Sequence, residues 1–266
     1  MSSYVIVESL RTPIGEMMGG LSSLSSSKLA ATVVEALLAK TGLDKEHVDT
    51  LVAGCVLSAG QGQAPARQVI LNAALNPKVQ ALGVNKVCGS GMAALFATVG
   101  QLASGHAQVG IALGMENMSA APYLLPKMRV GARFGHAQTF DHMLLDGLED
   151  AYEAGTSMGV LAERCVSKYS FSRQDQDDFA IDSLTKAQRA QAQGAFTHEI
   201  VPVMVKKRKA EITVEYDELP LKAKIDKIPT LRPAFVKDGT ITAANASAIS
   251  DGAAGHLVMS AQTAQK

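Results

Sequence analysis

From Tyr4 to about Ser119, short apolar runs alternate with stretches whose apolar residues recur at helical spacing, and this alternation limits the architectures open to the chain more than any other feature. The apolar runs are Tyr4 to Glu8, Thr50 to Leu57, Leu82 to Val87 and Gln108 to Leu113. Between them lie helical stretches at Lys28 to Lys40, closed by Gly42 as a C-cap, at Pro65 to Leu75, and at Met92 to Ala103. A strand that leads into a helix and then another strand pairs most readily in parallel, and the returning helices cover both faces of the sheet. The expected class is therefore α/β, with a mixed, mostly parallel sheet covered by helices.

The composition shifts between Pro122 and about Thr240, a stretch that holds Pro122, Pro126, Pro202, Pro220, Pro229 and Pro233, most of the aromatics and the basic run Lys206-Lys207-Arg208-Lys209. It reads as an insertion with its own small α+β fold. Its clearest element is a helix that starts at Ser172, an N-cap with Asp175 three residues on, and stops at Gly194. The apolar segment Gly252 to Met259 then reads as a last strand of the first sheet. The expected boundaries are residues 1–120, an inserted domain at 121–247, and a return at 248–266.

Several function classes recede on composition. With 25 basic and 25 acidic residues there is no net positive field to attract a polyanion, so neither nucleic acid nor a membrane is expected as a partner. The uncharged stretch Val87 to Met115 is long enough to span a bilayer, but Gly89, Ser90, Gln101, His106 and Gln108 interrupt it; a helix buried beside a buried strand explains it better. Three cysteines are too few and odd for a disulfide framework, and the opening MSSYVIVESLRTP lacks the basic and apolar blocks of a secretory signal, so the expected compartment is the cytoplasm.

The segment that carries chemistry is Val84-Asn85-Lys86-Val87-Cys88-Gly89-Ser90-Gly91-Met92, where a strand ends, a cysteine sits on the turn and a helix begins after two glycines. Free N–H groups and the positive end of the helix dipole would favour a thiolate at Cys88, and the glycines would let a substrate approach the backbone. The cysteine's own N–H could face a carbonyl oxygen attacked by its sulfur. Two other readings stand beside this one. Cys88 could be a small buried apolar residue, the usual fate of a free cysteine and the better reading of Cys55 and Cys165. Alternatively, Gly89-Ser-Gly91-Met-Ala-Ala94 follows the dinucleotide-binding pattern G-x-G-x-x-G/A, with Glu116 as the downstream acid.

The segment around Cys88 also resembles the nucleophilic-cysteine motif of the thiolases, the acyl-CoA C-acyltransferases and above all the acetyl-CoA C-acetyltransferases. Other stretches agree in order and approximate spacing: Arg11-Thr12-Pro13, Gly62 to Gln68, Gly114-Met115-Glu116-Asn117-Met118-Ser119, Leu231-Arg232-Pro233-Ala234-Phe235, Asn245-Ala246-Ser247, and Asp251-Gly252-Ala253-Ala254. Their agreement across the chain displaces the dinucleotide reading. The resemblance implies a βαβαβαββ half with a loop domain inserted in it. It also implies chemistry of the kind used in fatty acid metabolism: Cys88 takes an acyl group from acyl-CoA as a thioester, and a second acetyl-CoA condenses with it, or CoA cleaves a 3-ketoacyl-CoA in reverse. Coenzyme A contacts map onto Leu148, Met158, Phe235 and Ser247, and the Lys206 to Lys209 run could reach CoA phosphates. No metal and no permanently bound cofactor is expected, CoA being a substrate. The implied assembly is a homo-oligomer, a dimer or tetramer.

The chain departs from the family pattern in three places. Serine stands before the Met158-Gly159 pair where the family has histidine, and the segment Glu218 to Lys222 lacks the arginine often found for the nucleotide end of CoA. None of the six histidines lies in a Gly-His-Pro context, and no second Cys-x-Gly motif follows, so the family's C-terminal half is expected to be missing. On this reading the isolated chain carries the nucleophile without its acid and base and is inactive by itself. The alternative is a non-catalytic acyl-CoA-binding or assembly module of the same fold.

Overall fold

The computed structural model describes residues 3–207 and 210–265, the side chain of Lys207 excepted. The chain divides into two units, Met1–Ala120 with Phe196–Asp217 and Ser250–Lys266, and Ala121–Ala195 with Glu218–Ile249.

The first unit is built on strands β1 (Tyr4–Arg11), β2 (Gly15–Glu16), β3 (Thr50–Gly54), β4 (Gln80–Val84) and β5 (Val109–Asn117), closed by the long strand Ser250–Ser260. The long strand lies between β1 and β5, and the main sheet continues through β3 to β4 at its edge. Strands β1, β3, β4 and β5 run one way and the long strand runs against them, so the sheet is mixed with one reversed member. The β-α alternation expected from sequence is present, with α1 at Ser26–Thr41, α2 at Pro65–Asn72 and α3 at Ser90–Ala103. Helix α1 opens on Ser25, whose side chain accepts from the Lys28 N–H, and closes on Gly42 in the left-handed region at φ 68°, where a Cβ would be strained.

Side-chain alternation along β5 explains how the two faces differ. Val109, Ile111, Leu113 and Met115 join the main core with Leu29, Val33, Val34 and Leu37 of α1. Full burial of such side chains stabilises the fold by roughly 1.5 to 3 kcal/mol each. On the other face Gly110 and Gly114 leave room for α3: a Cβ on Gly110 would stand 2.5 Å from Thr98 Cγ2, and one on Gly114 would stand 3.3 Å from Gly91 Cα. Helix α3 buries one stripe, Ser90, Ala94, Thr98 and Leu102, against this face. It is not the fully buried helix expected from the uncharged run, since Met92 and Phe96 lie open to solvent. No helix among the described residues is long and apolar enough to cross a membrane.

The second unit comprises the short hairpin β6 (Tyr123–Leu124) and β7 (Phe140–Asp141), a single π-helical turn at Leu144–Leu148, and helices α4 (Met158–Tyr169), α5 (Arg173–Ala192) and α6 (Glu218–Lys222), followed by a 3-10 turn at Ile225–Thr230. Helix α5 begins with the capping box expected at Ser172 and Asp175. Residues 121–247 do not form one continuous insertion, because Phe196–Asp217 belongs to the first unit. The hairpin of β8 (Val203–Lys207) and β9 (Ala210–Val214) sends Val203, Val205 and Val214 into the main core. Arg11 fastens the same segment: its guanidinium forms a two-pronged bond to Asp217, at 2.7 and 3.1 Å, and a third to Glu199 at 2.7 Å. The closing strand Ser250–Ser260, now β10, and the short helix α7 (Ala261–Ala264) complete the first unit.

Candidate functional site

The parallel strands β3 and β4 end level at Gly54 and Val84, beside β5, which runs on to Asn117, and Cys88 lies four residues past the end of β4, at the edge of the sheet where α/β proteins commonly hold their chemistry. The turn from Asn85 to Gly89 is tied to itself. The Asn85 side chain accepts from the Val87 N–H at 2.9 Å, and Ser90 Oγ accepts from the Lys86 N–H and donates to the Val87 carbonyl, at 2.8 and 2.6 Å. These bonds hold Val87 at φ 49°, a left-handed conformation costly for a β-branched residue. The strain sits on the residue immediately before the cysteine. Cys88 itself is exposed and carries no disulfide, with no hydrogen-bond partner for its sulfur among the described residues. It is not the buried packing residue that was its alternative reading.

The glycines around the motif have a packing role of their own. Gly89, at φ −85°, needs no left-handed freedom. Gly91 meets Gly114 backbone to backbone, and a Cβ on Gly54 would stand 2.4 Å from the carbonyl carbon of Ser90. Three glycines from β3, β5 and α3 thus seat the start of α3 directly on the sheet and fix the height at which Cys88 emerges.

The other two cysteines separate. Cys55 stands just past the end of β3, half-buried, with its thiol 3.5 Å from a Glu116 carboxylate oxygen and accepting from Gln61 Nε2 at 3.6 Å. Burial, aided by the Glu116 charge, pushes its pKa up to about 12. Cys165, expected to be a packing residue, is instead exposed on α4. Glu116, weighed from sequence as a ribose ligand, accepts from the N–H groups of Val56 and Leu57 at 2.8 and 3.0 Å and clamps the loop after β3. Residue type and spacing alone did not reveal that role.

None of the four histidines of the first unit is delivered to Cys88. His198 lies two residues before Ile200, which bridges to Arg11 of β1, at the edge of the sheet opposite β4. His256 bonds to Ser9 at 2.8 Å on β10, and β5 and β3 separate that strand from β4, about 14 Å at ~4.8 Å per strand. Partial burial lowers the pKa of His256. His106 follows the far end of the 14-residue α3, ~21 Å along the helix from its start. His47 precedes β3 at the opposite edge of the sheet. His142 and His136 belong to the second unit, where His142 is buried against Asp146 at 2.6 Å. Among the described residues no group of three or more His, Cys, Asp or Glu side chains could hold a metal ion.

In the second unit the residues expected to contact CoA form two groups. Met158 is the first residue of α4, and the Phe235 ring covers the next residue, Gly159, so closely that a Cβ there would stand 2.2 Å from it. Glu163, one turn further along, binds the chain beyond Phe235, accepting from the N–H groups of Thr240 and Ile241, both at 2.7 Å. Although burial works against it, these bonds hold the Glu163 carboxyl below its ordinary pKa of 4.5. Leu148 closes the π-helical turn and is half-buried. Ser247 lies elsewhere, in a cleft of about 640 Å³ between α5, α6, the 3-10 turn and the segment Ala243–Ala248. Lys224 and Lys227 also line this cleft, and neither was singled out from sequence. Of the basic run, Lys206 lies on β8 of the first unit, while the Lys207 side chain, Arg208 and Lys209 fall outside the described residues.

The sequence model described as "Thiolase, N-terminal domain" matches residues 4–262. The chain belongs to the thiolase family. A probable acetyl-CoA acetyltransferase of Dictyostelium discoideum is 43% identical over 267 residues, covering 100% of this chain and 64% of that protein. An acetyl-CoA acetyltransferase of Chromobacterium violaceum is 46% identical over 263 residues, covering 98% of this chain and 67% of that protein. The solved acetyl-CoA acetyltransferase of Syntrophomonas wolfei superposes with a TM-score of 0.95 at 35% identity, covering all of this chain and 66% of that one. This thiolase chain spans about two thirds of the length of the relatives it matches. Its α/β fold and the family suggested by its motifs are both borne out.

Proposed function

We propose that this chain carries the nucleophile and the CoA-binding part of a thiolase-type acetyl-CoA C-acetyltransferase. The observation that carries the reading is Cys88: an exposed sulfur on a strained strand-to-helix turn, at the start of α3 and the carboxyl edge of three parallel strands. There the Cys88 sulfur attacks the carbonyl carbon of an acyl-CoA, the bond from that carbon to the CoA sulfur breaks, and CoA leaves as its thiolate. A thioester on Cys88 remains. In condensation, a second acetyl-CoA that has lost its α-proton attacks this thioester and releases the Cys88 thiolate; thiolysis of a 3-ketoacyl-CoA is the reverse. Leu148, Met158, Phe235 and Ser247 are assigned to CoA, which comes as a substrate. The same reading includes a cytoplasmic homo-oligomer, dimeric or tetrameric, completed by a C-terminal thiolase half.

The position of the histidines favours a second reading for the isolated chain, an acyl-CoA-binding module without turnover. Removing the α-proton and protonating the leaving thiolate call for placed acid and base groups, each contributing on the order of 10² to 10⁴ in rate. None of the first unit's histidines at positions 47, 106, 198 and 256 lies beside Cys88. One experiment separates the readings: incubate the chain with acetyl-CoA, follow free CoA, and locate the acetyl group by mass spectrometry of peptides. The nucleophile assignment expects slow acetylation of Cys88, absent in Cys88→Ala, without acetoacetyl-CoA. An unmodified Cys88 would remove the assignment, and condensation at a rate comparable to a full-length thiolase would require an acid and base among His106, His136, His142 and His256.

A further inference from the structure

The turn that presents Cys88 also carries an amine, which the acyl-transfer reading leaves unused. The Gly89 N–H donates to the Lys86 carbonyl at 3.0 Å and closes a turn with Val87 and Cys88 at its centre. The ends of such a turn lie within about 7 Å of each other by Cα. Ser90 Oγ accepts from the Lys86 N–H at 2.8 Å, so Lys86 leaves the same fixed frame as the cysteine. Its stem lies back along the turn: Cγ and Cδ stand 3.8 Å from the point where a Cβ of Gly89, the residue after Cys88, would be. Lys86 and Cys88 are both exposed. The Lys86 ammonium has no carboxylate or hydrogen-bond partner among the described residues. Glu116, the carboxylate that β5 brings to this edge of the sheet, is taken up by the N–H groups of Val56 and Leu57.

We propose that Lys86 is a self-acetylation site, which takes the acetyl group from Cys88 when no second acetyl-CoA removes it. The inference rests on the reading of Cys88 as the acyl acceptor. In its neutral form the Lys86 amine attacks the carbonyl carbon of the Cys88 thioester, a C–N bond forms, the C–S bond breaks, and Cys88 leaves as its thiolate. The proton lost from the nitrogen passes through solvent to the sulfur, which leaves a free thiol and an acetyl-lysine. The step runs downhill, since the amide gains a resonance that a thioester largely lacks. Holding amine and thioester in one turn replaces a bimolecular encounter with an intramolecular one. With none of the four histidines of the first unit beside Cys88, condensation by the isolated chain is slow, and the thioester persists long enough for the amine to reach it. Each chain then retains one acetyl group, on nitrogen instead of sulfur.

The test is a time course of the 266-residue chain with acetyl-CoA, read by mass spectrometry of peptides with and without hydroxylamine, which cleaves thioesters and spares amides. In wild type the acetyl group is expected on Cys88 first and on Lys86 later, and the Lys86 signal should resist hydroxylamine. Lys86→Arg keeps the charge but cannot form the amide, so its acetyl group should stay on Cys88 and remain cleavable. In Cys88→Ala, Lys86 acetylation should fall at least about tenfold, to the level of direct reaction with acetyl-CoA. An internal comparison lies on α4, where Lys168 stands three residues after the exposed Cys165 without a strained turn or a helix start beside it. Lys168 should be acetylated at least about tenfold less than Lys86. Equal acetylation of Lys86 in wild type and Cys88→Ala would overturn the transfer, as would equal acetylation of Lys168 and Lys86. An acetyl group that stays on Cys88 in wild type would overturn it while leaving Cys88 as the nucleophile. Acetylation of neither residue would overturn the nucleophile reading, and the transfer with it.

Discussion

Cys55 and Cys88 follow neighbouring strands of one sheet, yet their surroundings give them opposite chemistry. Burial and the Glu116 carboxylate push the Cys55 pKa up to about 12, whereas Cys88 meets solvent at the positive end of α3. Limiting iodoacetamide near neutral pH should therefore alkylate Cys88 first, exposed Cys165 later, and Cys55 last. Peptide mapping at partial modification measures the order, and labelling of Cys55 at the rate of Cys88 would contradict it. Glu163 supplies a second residue-scale prediction. Its folded-state pKa is depressed below 4.5, so its bonds to Thr240 and Ile241 contribute stability that is complete above that value. That stability is lost as the pH falls through the lower folded-state value. Glu163→Gln should destabilise the second unit at pH 7 and make its stability less dependent on pH below 4.5. Hydrogen exchange at Thr240 and Ile241 is the readout, and an identical acid profile in both proteins would refute the assignment.

At the scale of elements, the glycine seat beneath α3 governs where the nucleophile stands. Gly54→Ala places a methyl 2.4 Å from the Ser90 carbonyl, a backbone contact that cannot relax by rotating a side chain. Such overpacking should cost about 2 to 3 kcal/mol and displace the start of α3. Denaturant melts and Cys88 alkylation rates check both effects; wild-type values for each would show that the seat is not needed. Much of this element was legible in the chain: the apolar runs and the Gly42 cap marked the strands and α1, and Ser172 with Asp175 marked α5. The strained residue was less accessible, because glycines at positions 89 and 91 draw attention from Val87, and only the side-chain bonds of Asn85 and Ser90 reveal why valine is held there. From sequence the hairpin Val203–Val214 goes with the insertion because its run of basic residues and its position between Pro202 and Pro220 belong there. Its place in the first unit comes from Val203, Val205 and Val214 entering the main core and from Arg11 reaching Asp217 across 206 residues, contacts invisible to local pattern. Lys224 and Lys227 look like solvated charges in the sequence for the same reason, and only the fold places them on the wall of the Ser247 cleft.

For the whole molecule, the surface of α3 sets the behaviour in solution. The helix is apolar on more than one side, but the sheet covers only the stripe Ser90, Ala94, Thr98 and Leu102. Phe96 is 73% exposed and Met92 67% exposed, and Val87 and Leu82 extend the apolar surface to the preceding turn and β4. Edge strand β4 is itself exposed along most of its length, leaving unpaired backbone groups beside this apolar helix. A helix apolar all round is characteristically buried all round, and a contiguous uncovered face of this kind favours association. The isolated chain is therefore expected to self-associate with rising concentration and to bind a hydrophobic dye in its folded state. Phe96→Lys, placed on the open side of α3 away from the buried stripe, should shift the equilibrium toward monomer and reduce dye binding without lowering the melting temperature by more than a few degrees. Light scattering across a concentration series, alongside thermal melts, tests this directly. A wild-type chain that stays monomeric and binds no dye would show that the exposed face of α3 does not drive assembly, as would a variant that associates as strongly as wild type.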